Sequence, residues 1–123
     1  MTEVEPTRAR VGAEGEDFAV RFLTKQGMRL LDRNWRCREG EIDLVLRDGD
    51  VIVVCEVKTR RSLAFGHPVE AVTRAKLARL RRLAGRWLAE HRVDSSGVRL
   101  DVVALHLLPD ETYRVQHVRG DGL

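Results

Sequence analysis

The chain has little cysteine, proline or aromatic content and no long apolar run. Its two cysteines, Cys37 and Cys55, lack the spacing of metal ligands, so we expect reduced thiols in a cytoplasmic protein. The four histidines show no His-x-x-x-His pattern, which argues against a zinc site. No segment approaches membrane-spanning length and the N-terminus has no signal-peptide block, so we expect no membrane partner.

What the chain does contain suits one globular domain. Its 123 residues are 43% apolar and 33% charged, which is enough for a single core and too little for a second. We expect residues 11–119 to form the domain, with residues 1–10 and 120–123 as tails.

Positive charge is concentrated in one part of the chain. The net charge is +3, but residues 58 to 92 contain ten Lys or Arg against two Glu, a local charge of +8. Such a basic face is typical of a protein that binds a polyanion such as nucleic acid. The alternative is a solvated face, because arginine outnumbers lysine nineteen to three and this excess can reflect genome composition.

Residues 40–58 read as two β-strands joined by a tight turn. The β-rich runs 42–46 and 51–57 flank Asp48-Gly49, a pair that favours a type I′ hairpin turn. The long helical pattern at residues 69–91 then allows a parallel crossover to a fourth strand.

This hairpin places charged residues on one face. With Asp48 and Gly49 in the loop, Asp43 would face Val54, and the alternation along each strand puts Asp43, Glu56 and Lys58 on one side. A slip of one residue would move Asp43 to the other side. That other side is apolar throughout: Ile42, Leu44, Leu46, Val51, Val53, Cys55 and Val57.

The charged face also carries apolar residues, which suggests a hairpin covered on both sides. Carboxylates there are costly unless they are paired or bind a cation. Asp43 and Glu56 are suitable ligands for Mg²⁺ or Mn²⁺, and Lys58 could hold a water or an anionic oxygen. The alternative is a cross-strand ion pair on a solvated hairpin.

The remaining patterns predict a mixed five-stranded α/β sheet with helices packed on it. Helices are expected at 11–26 and 69–91, and the other strands at 28–37, 98–107 and 112–118. In the first helix, Glu14 or Glu16 could reach a site at the sheet surface, or both could be solvated near the N-terminus.

Three basic residues follow the hairpin at informative positions. Arg60 and Arg61 come directly after Lys58, where they could meet a phosphate beside a metal. Lys76 lies on the apolar side of the second helical pattern. Its ammonium either extends past its neighbours to solvent or faces the Asp43 and Glu56 site and helps to hold a scissile strand.

Several motifs run along nearly the whole chain. They are Gly12-x-x-x-Glu16, Arg33-Asn34, Gly40-Glu41-Ile42-Asp43-Leu44, Glu56-Val57-Lys58, Phe65-Gly66-x-Pro68-x-Glu70-Ala71-Val72, Lys76 and Arg99-x-Asp101-Val102-Val103. Together with the order of elements they resemble the PD-(D/E)xK nuclease superfamily, which includes archaeal Holliday-junction resolvases. Within it the chain is most similar to the YraN-like family of small bacterial proteins.

The resemblance implies a restriction-endonuclease-like core and a role for each matching residue. Asp43, Glu56 and the Val57 carbonyl would hold the metal. Lys58 would assist catalysis, and Glu16, rather than Glu14, would be the helix-borne acid. Two departures bear on activity: Ile42 replaces the superfamily's proline, as is usual for YraN-like chains, and some YraN-like members carry arginine instead of the lysine.

The expected function is therefore metal-dependent hydrolysis of nucleic-acid phosphodiesters, with branched or damaged DNA as candidate substrates. A second hypothesis is a non-catalytic nucleic-acid-binding protein that keeps the same fold. A third is a structural interaction protein, which the local charge of +8 disfavours. The sequence leaves open the choice between DNA and RNA, the substrate structure and whether the protein forms a homodimer.

Overall fold

One mixed β-sheet with a helix against each face makes up the computed structural model, which describes residues 8–62 and 66–120. In chain order the elements are α1 (Arg8–Lys25), β1 (Arg29–Cys37), β2 (Gly40–Asp48), β3 (Val51–Arg60), a 3₁₀ turn (Pro68–Ala71), α2 (Arg74–His91), β4 (Gly97–Leu107) and β5 (Tyr113–Val118). Parts of the expected tails lie outside the described residues, namely residues 1–7 and 121–123. The same holds for residues 63–65 of the loop, which include Phe65 of the sequence motif.

The strands lie in the sheet in the same order as in the chain, from β1 to β5. Neighbouring pairs are antiparallel except β3 and β4, which run parallel. A parallel pair needs a long crossover, and the segment containing α2 supplies it. The expected mixed five-stranded α/β sheet is confirmed.

Each face of the sheet has its own core. Ala19 and Leu23 of α1 are fully buried against Leu44, Leu46, Val53, Cys55, Val103 and Leu105. On the other face, Leu83 and Trp87 of α2 are buried with Val45, Ile52, Val54 and Leu100. The hairpin is therefore covered on both sides, as its composition predicts. Ile42 differs from the prediction, because it packs with the α2 core instead of the α1 core.

The hairpin register also differs from the prediction. Asp48 pairs with Val51, so the loop residues are Gly49 and Asp50 and not Asp48 and Gly49. Gly49 has φ +60 and Asp50 has no positive φ, which is the φ pattern of a type II′ turn and not of type I′. Val54 consequently faces Val45 and not Asp43. The partner shifts by two residues, so Asp43, Glu56 and Lys58 keep their predicted face.

The second helix begins later than its periodicity suggests. Residues 68–71 form a separate 3₁₀ turn, and α2 starts at Arg74. Thr73 is the reason: its backbone is extended (φ −90, ψ 167) and its hydroxyl accepts a hydrogen bond from the Lys76 N–H, which caps the helix. Lys76 therefore lies in the first turn of α2 and not two turns into it. Lys76 is exposed, whereas the sequence analysis placed it on the apolar side of the helix.

The first helix begins at Arg8, three residues before the expected position. A Cβ atom on Gly15 would lie only 2.2 Å from Thr59 Oγ1, so this glycine allows α1 to approach β3 closely. Gly12 makes no such approach, because nothing lies within 4 Å of its would-be Cβ. In the described part of the chain, neither helix is long and apolar enough for a membrane span.

Both cysteines are free thiols, as expected. Cys55 is fully buried in the core under α1, and this burial raises the pKa of its thiol well above the usual range. The thiol stays protonated and acts as a small apolar side chain.

Candidate active site

The candidate site lies where β2 and β3 separate. Their ladder ends at the pair Leu44 and Cys55, and beyond it the Asp43 side chain acts as acceptor in place of the backbone. Asp43 Oδ2 accepts a hydrogen bond from the Val57 N–H at 2.8 Å. Continuing the register by one residue brings Asp43 beside Glu56. The two carboxylates predicted to share a face are thus neighbours.

The Asp43 carboxyl titrates far from its ordinary range. Burial is the largest cause and the charge of Glu56 the second, and together they raise its pKa from 3.8 to about 7, against the opposing hydrogen bond from Val57. Glu16 and Glu41 add smaller repulsions. Asp43 is therefore the centre of a group of four acids, a place where a positively charged ligand would be stabilised.

Lys58 accompanies these acids on the same face. Its Nζ lies 3.4 Å from Glu56 Oε1, and the two side chains are 27% and 21% exposed. The ion pair predicted as the ordinary alternative therefore exists, although it lies within β3 instead of across the hairpin. A lysine held by one carboxylate still has two further N–H donors for a water or a phosphate oxygen.

The structure separates Glu16 from Glu14. Glu16 is 17% exposed, lies 3.6 Å from Arg33 of β1, and repels Asp43. Burial raises the pKa of Glu16, while hydrogen bonds from Asn34 and Arg33 oppose the rise. Glu14 instead lines a different cleft of about 240 Å³ beside Tyr113. Of the two acids, only Glu16 belongs to the Asp43 group.

A cleft of about 340 Å³ opens between these acids and α2. Asp43, Glu56 and Lys58 line it from the sheet, and Lys76 and Arg79 line it from the helix. Glu41 and the apolar residues Val72, Leu77, Leu80 and Leu83 complete the lining. The volume is at the small end of the range for ligand pockets. Lys76, which the sequence allowed either to reach solvent or to face the carboxylates, is exposed and lies in the wall of their cleft.

Arg60 and Arg61 do not act as a pair. Arg60 is exposed at the end of β3 and continues the alternation of Glu56 and Lys58, so it shares their face. Arg61 lies near Tyr113 on the α1 face, where burial raises the pKa of the phenol and the charge of Arg61 opposes that rise. Its Nη2 is buried and makes no hydrogen bond with the described residues. Of the two, only Arg60 lies on the sheet face that carries the candidate site.

The oxygen atoms at this site are of the kind that divalent cations such as Mg²⁺ prefer as ligands. Asp43, Glu56 and the Val57 carbonyl offer hard oxygen atoms, and the repulsion between the two carboxylates is what a dication would relieve. Within residues 8–62 and 66–120, no group of three or more His, Cys, Asp or Glu side chains is arranged to hold a metal ion. A cation at this place would therefore depend on two carboxylates, a backbone oxygen and water.

Sequence reasoning did not assign a role to three residues that the structure makes important. Arg79 was not recognised as part of the cleft, although its position three residues after Lys76 puts it on a neighbouring part of the helix surface. Arg99 and Asp101 carry no site prediction either. Their spacing of two along a strand, which places both on one face, could have indicated that they pair.

Asp101 is fully buried in a polar network on the α1 face, and its partner in β3 is Cys55, the residue before Glu56. Arg99 donates to both of its oxygens at 2.9 and 3.1 Å, His117 Nε2 lies 2.8 Å away and the Gly120 N–H donates at 3.1 Å. Arg99 also donates to Asp48 at 3.1 Å. Burial alone would raise the pKa of Asp101, but the hydrogen bonds from Arg99 and His117 outweigh it and lower the pKa. The network joins β2, β4, β5 and Gly120, which lies two residues after the end of β5.

The mixed five-stranded sheet with a helix on each face is consistent with a restriction-endonuclease-like core. The chain belongs to the family described as "Uncharacterised protein family UPF0102", which corresponds to the YraN-like family and matches residues 15–105. The matched range contains Glu16, Asp43, Glu56 and Lys58. Membership of the YraN-like family is therefore confirmed, and placement in the PD-(D/E)xK superfamily stays a prediction.

Three relatives illustrate how closely the chain matches this family. A UPF0102 protein of Beutenbergia cavernae is 59% identical over 112 residues, covering 91% of this chain and 95% of the relative. One from Kineococcus radiotolerans is 62% identical over 111 residues, covering 89% and 91%. One from a Nocardioides species is 58% identical over 112 residues, covering 91% and 90%.

Proposed function

We propose that the protein hydrolyses nucleic-acid phosphodiesters in a metal-dependent reaction within the cleft between the sheet and α2. The observation that carries this proposal is the convergence of Asp43, Glu56 and Lys58 in one cleft whose opposite wall holds Lys76 and Arg79. Carboxylates that repel each other suit a divalent cation, and the surrounding cations suit a phosphate. The resemblance to the PD-(D/E)xK nucleases, which assigns the same residues, also supports the proposal.

Each residue has a defined task in this reaction. Asp43, Glu56 and the Val57 carbonyl would hold Mg²⁺ or Mn²⁺, with Glu16 contributing directly or through water. When bound, such an ion acidifies a water molecule and neutralises charge on the phosphate. Lys58 donates hydrogen bonds that orient the attacking water or stabilise the charge developing on the phosphate oxygens. Lys76 and Arg60 hold the phosphates of the scissile strand, and the substrate is proposed to be DNA with a branched or damaged structure.

A second candidate is binding of nucleic acid without cleavage. It is favoured by one observation: in the described part of the chain no three acidic, His or Cys side chains form a ready metal-binding group. The basic residues around the cleft would serve either function. The two candidates differ in whether the carboxylates bind a divalent cation and in whether phosphodiesters are broken.

Cleavage assays separate the candidates. The purified protein is incubated with single-stranded, duplex, nicked and branched DNA and with RNA, in Mg²⁺, Mn²⁺ or EDTA. We expect cleavage of at least one substrate with a divalent ion and none with EDTA. Asp43→Ala and Glu56→Ala should each abolish it, whereas Glu90→Ala, which removes an exposed acid of α2, should not. Cleavage that persists in EDTA, or in both carboxylate variants, contradicts the proposal.

Calorimetry with Mn²⁺ tests the metal site without relying on activity. Asp43→Ala and Glu56→Ala should abolish binding, because each removes one of two charged ligands. Lys58→Ala should bind Mn²⁺ normally and lower the cleavage rate, since the lysine acts on water or phosphate. Unchanged Mn²⁺ affinity in both carboxylate variants would rule out this metal site. Loss of folding in Lys58→Ala would indicate that the pair with Glu56 is only structural.

A further inference from the structure

The basic residues of α2 fall into two groups on opposite flanks of the helix. At about 100° per residue, Arg79, Arg82 and Arg86 lie within about 60° of one another. Arg74 and Arg81 lie on the other side of the buried stripe that contains Leu80, Leu83, Ala84 and Trp87. The two groups have the same chemistry and share one helix, so only their surroundings distinguish them.

Arg79 and Arg86 of the first group face the cleft and the β1–β2 turn, and Arg82 lies beside them on the outer surface of α2. Arg79 lines the cleft, and its Cδ would lie 3.6 Å from a Cβ atom on Gly40. Arg86 forms an ion pair with Glu39, the residue before Gly40. The flank therefore runs from the carboxylates, past the turn, towards the C-terminal end of α2. From Lys76 to Arg86 it extends about 15 Å at 1.5 Å per residue.

Positive charge on this flank is only partly neutralised within the protein. Arg79 and Arg82 are exposed and form no ion pair with another described residue. Arg86, at the far end of the flank, pairs with Glu39 and has Glu90 four residues after it, so the unpaired charges of Arg79 and Arg82 lie nearer the cleft than Arg86 does. Like charges three and four residues apart destabilise a helix slightly, and a bound anion would remove that cost.

We propose that this flank of α2, defined by Arg79 and Arg82 with Lys76 at its cleft end, binds the sugar-phosphate backbone of one nucleic-acid strand as it leaves the cleft. The inference rests on the proposed function only in taking nucleic acid as the ligand of the cleft. Lys76 to Arg82 spans about 9 Å at about 1.5 Å per residue, which corresponds to roughly three nucleotides at about 3.4 Å per nucleotide of one strand. Contacts from arginine to phosphate fix the position of a strand without reading its sequence, so the flank positions any sequence.

Two matched double variants test this assignment. Arg79→Gln with Arg82→Gln removes two charges from the flank that faces the cleft, and Arg74→Gln with Arg81→Gln removes two charges from the opposite flank. Gln has nearly the helix propensity of Arg, and circular dichroism checks that both variants fold. Binding of a labelled oligonucleotide is measured in EDTA, so that no cleavage occurs, over a range of salt concentrations.

We expect the slope of log K against log salt to become shallower by about two in the first variant, about one for each lost phosphate contact. The second variant should keep the slope of the parent. Equal losses in both variants would overturn the proposal in favour of diffuse attraction, and no loss in either would overturn it outright.

Two further outcomes separate the flank from the function of the cleft. If the first variant binds more weakly than the second but the parent cleaves nothing, the proposed hydrolysis fails and the assignment of the flank stands. If the parent binds vesicles with anionic lipids and no oligonucleotide, and the first variant loses that binding, the ligand is a membrane surface and the assignment is overturned.

Discussion

Replacing Asp43 by asparagine should stabilise the metal-free protein above neutral pH. Burial and the neighbouring Glu56 raise the pKa of Asp43 to about 7 in the folded protein, against 3.8 as its ordinary value. Between these values the folded chain binds more protons than the unfolded chain. The free energy of unfolding therefore falls as the pH rises from about 4 to about 7, and stays reduced above that range.

The size of the effect follows from the same two pKa values. A rise from 3.8 to about 7 corresponds to roughly 4 kcal/mol at about 1.4 kcal/mol per pKa unit. Asp43 is half-buried, so solvent screening reduces the expected gain to about 2 to 3 kcal/mol. Asp43→Asn removes the charge and keeps an oxygen that can accept the Val57 hydrogen bond. At pH 4 the variant and the parent should agree within about 1 kcal/mol.

Urea unfolding followed by tryptophan fluorescence, in EDTA at pH 4 and pH 8, measures this difference. Glu90→Gln removes an exposed carboxylate elsewhere on the protein and should show no such pH-dependent gain. Adding Mn²⁺ at pH 8 should stabilise the parent and not Asp43→Asn, because only the parent keeps both carboxylates. A variant that is no more stable than the parent at pH 8, or that gains equally at pH 4, would refute the reasoning.

Two further predictions concern packing away from the cleft. Asp101→Asn should cost about 2 kcal/mol at pH 7, because the half-buried Arg99 loses one of its two acidic partners and keeps only Asp48. Since the folded pKa of Asp101 is lowered, its contribution is present above about pH 4 and is lost as the pH falls through that lowered value. Urea unfolding should therefore show the deficit shrinking in acid. Gly15→Ala should lower stability by about 1 to 3 kcal/mol in a thermal melt, because its Cβ would be forced against Thr59. Adding Thr59→Ala should restore part of the lost stability. The control Gly12→Ala, with nothing within 4 Å of its Cβ, should cost nothing. A Gly15→Ala protein as stable as the parent, or an Asp101→Asn deficit that persists unchanged in acid, would contradict these accounts.

The shared face of Asp43, Glu56 and Lys58 could be predicted from the sequence because alternation along a strand depends only on whether a shift is odd or even. The turn was misplaced, yet the resulting shift of two residues in the pairing left Asp43, Glu56 and Lys58 on one face. The parallel connection from β3 to β4 could also be predicted, since the helical pattern before β4 is long enough for a crossover. Local periodicity therefore determined both the architecture and the side on which the acids lie.

Features that depend on one side chain or on the sheet as a whole could not be predicted in this way. The helical periodicity of residues 69–91 hides the interruption at Thr73, because a single capping hydroxyl decides where α2 begins. The direction of Arg61 depends on where β3 ends and on the neighbouring Tyr113. The separation of β2 from β3 at Asp43 is a break in a ladder, which no pattern along one strand reveals.

The order of the strands has a consequence for how the protein folds. Because neighbours in the sheet are neighbours in the chain, the pairs β1–β2, β2–β3 and β4–β5 close short loops. Only the β3–β4 pair must enclose the segment that carries α2, and that closure costs the most chain entropy. We therefore expect the acids of the hairpin to come together early, through local contacts, and α2 to close over them later. Substitutions in the hairpin should mainly change the folding rate, and those under α2 mainly the unfolding rate.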